Sequence, residues 1–267
     1  MDRLSRRRVL RSAAALAGVG WLPPPAQVDS LPAAAAGPAD GAGVERDDVF
    51  LMLAYSIVLK DWQQETNGYY RGYNIGSVLV DPDGRVAAWG RNSVRVTANK
   101  TQHGELRAVS CYLSRNRQQA NLKGYTLYTT LEPCAMCAGM MYITEVSRTV
   151  YGQSDPAYGG TIERLNLNET CGGTVHTPYP RRVESVGSDI SFRRSLDQSY
   201  DNLRGSHPDL TLPAFLATGA ARAIFEAANR ALTTYEVAFP ENEQILRDAV
   251  AYLTAVPGKY TKMCPAQ

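Results

Sequence analysis

Residues 126–152, TLYTTLEPCAMCAGMMYITEVSRTVYG, decide the fold class. Tyr125 to Thr130 is rich in aromatic and β-branched residues and predicts a strand. Cys134 to Glu145 predicts a helix, and Ser147 to Gly152 predicts a second strand. Upstream, Ile75 to Val80 and Arg85 to Gly90 flank the turn residues Asp81-Pro82-Asp83-Gly84, the signature of a β-hairpin. A helix is expected from His103 to about Leu113. Val49, Leu51, Leu53, Ala54, Ile57, Val58 and Trp62 recur at the spacing of an amphipathic helix. Strands that alternate with helices imply a layered α/β domain with at least some parallel pairing, because helical crossovers lie over the sheet faces. No internal repeat is visible.

Two short motifs carry the chemistry, His103-Gly104-Glu105 at one helix start and Pro133-Cys134-Ala135-Met136-Cys137 at another. One imidazole and two thiolates make three ligands suited to zinc and leave the fourth tetrahedral position for water, as a catalytic site requires. Glu105, two residues after the histidine, stands where it can act as general base and then general acid without ligating the metal. A structural zinc site would need a fourth ligand, and Cys111, Cys171 and His176 lack a paired spacing. A Cys134–Cys137 disulfide is the other alternative, giving a non-catalytic zinc or redox protein. Either leaves His103 and Glu105 without a purpose.

At 267 residues and 44% apolar content the chain can bury a substantial core. Residues 1–44 stand apart in composition and hold five arginines and three aspartates, leaving 23 basic and 23 acidic residues in the remainder. A mature chain without formal charge lacks the excess of Lys and Arg on which sequence-independent phosphate binding relies. The pairs Arg181-Arg182 and Arg193-Arg194 read as solvated surface. The opening run Ser5-Arg6-Arg7-Arg8-Val9-Leu10-Arg11 resembles a twin-arginine export signal. A weakly apolar stretch, Ser12 to Leu22, and small residues at Ala33 to Ala36 follow it. That stretch is too short to anchor the chain in a bilayer, whose core needs roughly 20 helical residues. A periplasmic or extracellular location is therefore expected.

With these motifs, residues 126–152 closely resemble the cytidine deaminase-like superfamily, particularly its bacterial tRNA adenosine deaminase and guanine deaminase branch. The likeness extends upstream through IGSVLVDPDGRVAAWGRNS and covers roughly residues 50 to 160. The resemblance implies a three-layer α-β-α sandwich around a central mixed sheet, with Zn2+ held by His103, Cys134 and Cys137 and Glu105 as the proton shuttle. It implies hydrolysis of a C–N bond, in which water replaces an exocyclic ring amine and ammonia leaves. Asn92 falls on the position resembling the family's substrate contact, and Asp155 on a loop that borders substrate in relatives. A turn-forming Asn and an ordinary loop Asp are the alternatives. Gly104 departs from the Ala or Val common in relatives and is expected to loosen the pocket and alter substrate fit. Export and neutral charge favour a small base, nucleoside or related heterocycle over nucleic acid, which stays open as a second substrate class, whether through tRNA editing or as an exported toxin. A homodimer is the assembly that relatives suggest.

The organisation expected is a signal peptide and linker over 1–44, a deaminase domain over 45–205 and a C-terminal helical extension over 206–267. A loop rich in Gly, Thr and Pro, from Gly160 past Pro180, either covers the pocket or merely connects. Helical spacing resumes at Ile190 to Leu203, then from Leu212 to Tyr235 and from Glu241 to Leu253, the last two as a hairpin packed on the core or on another subunit. Cys111, Cys171 and Cys264 are odd in number, and Cys171–Cys264 is a candidate disulfide. Tyr69, Tyr70 and Tyr73 read as a loop cluster rather than a base-stacking platform.

Overall fold

A computed structural model describes residues 41–64, 70–171, 173–177, 179 and 182–260. The export signal falls outside these residues, as do Tyr69 and Cys264. The linker ends earlier than expected, because helix α1 (Gly41–Leu59) already includes residues 41–44.

The hairpin forms as β1 (Gly76–Val80) and β2 (Val86–Arg91), with Asp81 Oδ1 accepting the Asp83 and Arg85 N–H groups across the turn. Helix α2 (Gly104–Arg115) follows, then β3 (Thr126–Thr129), α3 (Ala135–Thr144) and β4 (Arg148–Tyr151). The region expected to be loop contains α4 (Thr161–Leu165) and a two-stranded ribbon of β5 (Glu169–Cys171) and β6 (Thr174–His176). It also leads into β7 (Glu184–Gly187), a fifth strand of the main sheet.

That sheet runs in the order β2-β1-β3-β4-β7. β1 is antiparallel to both β2 and β3, whereas β3–β4 and β4–β7 are parallel. The parallel half is where a helix intervenes between strands, as a crossover demands. Side-chain alternation divides the faces. Val78, Val80, Tyr128 and Val150 turn toward α1, while Leu79 and Leu127 pack with Ala108, Val109, Ala138 and Met141 of α2 and α3. Helices on both faces of a mixed sheet give the three-layer α/β sandwich.

Helix α1 is more deeply placed than an amphipathic pattern implies. Every residue from Val49 to Val58 is buried. A helix covered on all sides needs apolar partners opposite the sheet, and these come from the end of the chain. Following α5 (Ser191–Ser206), the segment expected as one helix from Leu212 breaks into α6 (Leu212–Phe215) and α7 (Gly219–Thr234). A 3₁₀ turn, Pro240–Asn242, then leads into α8 (Glu243–Ala255). Phe215, Phe225, Leu232 and Leu253 join the core that surrounds α1. Polar contacts fix the arrangement, since the buried Glu45 carboxylate accepts the Ala238 and Phe239 N–H groups and the Asn242 amide. α7 and α8 both pack against α1 more extensively than against each other, so the expected hairpin opens around a central helix. No described helix is long and apolar enough to cross a membrane.

Candidate active site

α2 and α3 start at the same end of the sheet, and their first residues meet. His103 is the N-cap residue of α2 and Cys134 that of α3, each with extended backbone, and Cys137 lies in the first turn of α3. The Nδ1 atom of His103 is 3.6 Å from Cys134 Sγ and 3.6 Å from Cys137 Sγ. All three ligand atoms lie within 4.8 Å of one another. A tetrahedral zinc with Zn–S of about 2.3 Å and Zn–N of about 2.0 Å requires N···S edges of about 3.5 Å, so the donor set fits the ion in chemistry and in spacing. Both cysteines are free thiols, which excludes the Cys134–Cys137 disulfide.

The electrostatics suit a cation. Hydrogen bonds from the Cys137 thiol and from His103 hold the Cys134 thiol down at about 4. The hydrogen bond to Cys134 also raises His103, and the same partnership together with burial pushes Cys137 up. A helix N-terminus favours thiolate in addition. Glu105, in the first turn of α2, is 3% exposed, its acidity is weakened by burial, and its Oε2 lacks a hydrogen-bond partner. A buried carboxylate with an unpartnered oxygen, two residues after His103, has the chemistry to carry a proton.

The close approach of α2 to the sheet explains its glycine. A Cβ on Gly104 would meet Gly76 Cα and Gly90 O at 3.0 Å and Ser77 Oγ at 3.2 Å, and one on Gly90 would meet Ala108 N at 2.8 Å. The missing side chain at 104 therefore faces the strands and lets the helix seat against them. The expectation that it enlarges the pocket gives way to this packing role.

Asn92, just after β2, is 1% exposed. Its Oδ1 accepts the N–H of Tyr73 at 3.1 Å and of Val94 at 3.4 Å, leaving Nδ2 buried without a partner. Arg71, fully buried and ion-paired to Asp61 at 2.9 Å, donates to the Asn92 carbonyl and fixes its backbone. Asp155 is also buried, but its Oδ1 accepts the N–H of Ala157 and of Tyr158, each at 3.0 Å, so it builds the turn it sits in.

Two residues escaped the sequence analysis. Glu132 accepts the N–H of Asp155 at 3.0 Å and of Gly160 at 2.6 Å, folding the loop after β4 onto the segment that leads to Cys134. A carboxylate directly before the Pro-Cys step was the available signal. Gln153 is fully buried with both amide atoms unpartnered, and nothing in its sequence context marks it. Outside the site, Cys111 is disulfide-bonded. The expected Cys171–Cys264 pair lies outside the described side chains.

Residues 53–153 match the cytidine and deoxycytidylate deaminase zinc-binding region. Over 174 residues the chain is 34% identical to the tRNA-specific adenosine deaminase of Haemophilus influenzae, covering 59% of this chain and 98% of that protein. The chain belongs to the zinc-binding cytidine and deoxycytidylate deaminase family. It is thus a hydrolytic C–N deaminase whose cofactor is zinc. A stretch of 95 residues, 34% of this deaminase, is 40% identical to the tRNA(Ile)-lysidine synthase of Deinococcus deserti and spans only 18% of that longer protein. Among solved structures, one from work on A-to-I editing by tRNA:A34 deaminases is 33% identical, with 51% of this chain and 95% of that chain covered at a TM-score of 0.39. The guanine deaminase of Bacillus subtilis is 21% identical, covering 58% and 93% at a TM-score of 0.36.

Proposed function

We propose that this deaminase hydrolyses the exocyclic amine of a nucleobase, nucleoside or related heterocycle, with His103, Cys134 and Cys137 as zinc ligands and Glu105 as the proton carrier. The observation that carries the proposal is the convergence of three ligand atoms beside a buried, unpartnered carboxylate oxygen. Bound zinc supplies the Lewis acidity that makes water a nucleophile near neutral pH. Glu105 accepts a proton from the attacking water and delivers it to the ring nitrogen as C–O forms, then takes the proton of the new hydroxyl and passes it to the exocyclic amine as C–N breaks, so that the carbonyl forms and ammonia leaves. Asn92, its Oδ1 already occupied by backbone donors, offers Nδ2–H to an acceptor on the ring. Asp155 shapes the adjoining loop.

The test is ammonia release by the zinc-loaded chain on cytosine, adenine, guanine, their nucleosides and single-stranded RNA and DNA. Release from the small compounds supports the proposal, and release from oligonucleotides alone replaces it. The similarity to tRNA-specific adenosine deaminases favours nucleic acid as the second reading, against which stands the balance of 23 acidic and 23 basic residues beyond position 44.

Residues 1–44 are proposed to direct twin-arginine export to the periplasm or beyond, supported by the arginine run and the short apolar stretch. Replacing Arg6 and Arg7 by lysine should abolish export of the full chain. Residues 45–205 and 206–267 are proposed as catalytic domain and extension. Self-association through α3 fits its outer face, where Ala135, Met136, Gly139, Met140 and Ile143 are exposed or half-buried; sedimentation equilibrium is expected to give twice the chain mass, and a monomer mass would overturn it.

A further inference from the structure

Resting on the deaminase reading above, we infer that Gln153 is a specificity-determining residue, whose side-chain amide pairs with a donor–acceptor edge of the substrate base. Its backbone is tied to the segment that leads to Cys134. β3 and β4 run parallel with Thr129 opposite Tyr151, and this pairing continues past the strand ends: Gly152 N–H donates to Thr129 O at 2.9 Å and Glu132 N–H to Gln153 O at 2.8 Å. Gln153 is therefore tied by its backbone to the residue two before Cys134.

The segment beyond it is pinned to the same loop. Glu132 holds the Asp155 and Gly160 N–H groups, and the Thr161 hydroxyl donates to Pro133 O at 2.7 Å. Alternation supplies the direction. Arg148 reaches Asp47 of α1, Val150 packs in the α1 core, and a Cβ on Gly152 would run into Tyr55 of α1. Residues 148, 150 and 152 thus face α1, and the same alternation, continued past Tyr151 where β4 ends, turns Gln153 toward the face on which α2 and α3 pack.

At 0% exposure, with neither Nε2 nor Oε1 hydrogen-bonded, Gln153 leaves two polar atoms unsatisfied, which is costly unless a ligand completes them. The group that completes both must offer an acceptor beside a donor. A ring N–H next to a C=O does so, as in cytosine and guanine. The edges of adenosine away from its amine offer acceptors only and leave Oε1 unpaired. Substrates of the oxo-amino kind are thereby preferred over adenosine.

The experiment compares the zinc-loaded full chain with Gln153→Leu, by ammonia release and, in the Glu105→Gln background, by equilibrium binding of cytosine, guanine and adenosine. The expected result is a tenfold to hundredfold loss of kcat/KM for the oxo-amino base, carried mostly by KM, with a matching loss of binding, unchanged adenosine values and an undiminished melting temperature. Unchanged kinetics and binding for all three compounds would overturn the assignment and leave Gln153 a packing residue. If the wild-type chain binds an oxo-amino base and loses it on Gln153→Leu yet releases no ammonia, the assignment stands and the deamination reading falls. Absence of binding to either form overturns both.

Discussion

Asn92 and Asp48 show how burial turns single side chains into testable quantities. Asn92→Asp keeps an oxygen for the Tyr73 and Val94 N–H groups but replaces the unpartnered donor with an acceptor. KM should rise by about tenfold or more, since a site built to donate a hydrogen bond tolerates its loss poorly. Steady-state kinetics check this. Asp48 lies away from the metal. Burial first, and then the neighbouring Asp47, raise its carboxyl to about 6 from an ordinary 3.8. Because the folded value exceeds the unfolded one, the stability associated with the neutral carboxyl is complete below pH 3.8. It is lost as pH rises to about 6. Asp48→Asn should therefore stabilise the protein at pH 7 by about 1 kcal/mol, allowing for its partial exposure, and leave it unchanged at pH 3.5. Urea unfolding at the two pH values decides it.

At the scale of elements, His103, Cys134 and Cys137 gather at the starts of α2 and α3, so a bound zinc would tie the two helices together. Removing zinc with a chelator should abolish activity. It should also lower the unfolding free energy by about 3 kcal/mol relative to protein at free zinc about a hundredfold above Kd, as mass action requires. Thermal melts with and without added zinc measure it.

Elements with strong periodicity and turn chemistry were legible from the chain. The hairpin around Asp81-Pro82-Asp83-Gly84, α2, β3, α3 and β4 formed within a few residues of expectation, and two spacings were enough to anticipate that His103, Cys134 and Cys137 would cluster. β7 was not legible, because Glu184-Ser185-Val186-Gly187 carries one strong strand former and owes its place to parallel pairing with β4. The division of α6 from α7 has a local signal in two capping threonines. Thr211 and Thr218 each cap a helix start, accepting from Ala214 N–H and Ala221 N–H. Gln153 could not be found from sequence, since only tertiary burial distinguishes it from a surface glutamine.

For the whole molecule, the question raised by the extension is what it covers. The uninterrupted burial of Val49 to Val58 answers it: α1 lies between the sheet and α7 and α8, and without them its outer face would meet water. Phe225 is the keystone, fully buried with ring centroids 4.9 Å from Tyr55 and 5.2 Å from Trp62. Phe225→Ala should destabilise the fold by about 3–5 kcal/mol, and Phe225→Leu by less. Urea titration gives both values, and zinc content at saturating metal should stay the same, because the ligands lie on the opposite face of the sheet.

The central claim is that Glu105 moves protons at a zinc centre built by His103, Cys134 and Cys137. It is tested most directly by single-turnover ammonia release from the zinc-loaded chain and from Glu105→Gln with the same zinc content. The expected result is a loss of about 10²-fold to 10⁴-fold in rate, with the melting temperature maintained or raised. A Glu105→Gln enzyme that releases ammonia as fast as the wild type would contradict it.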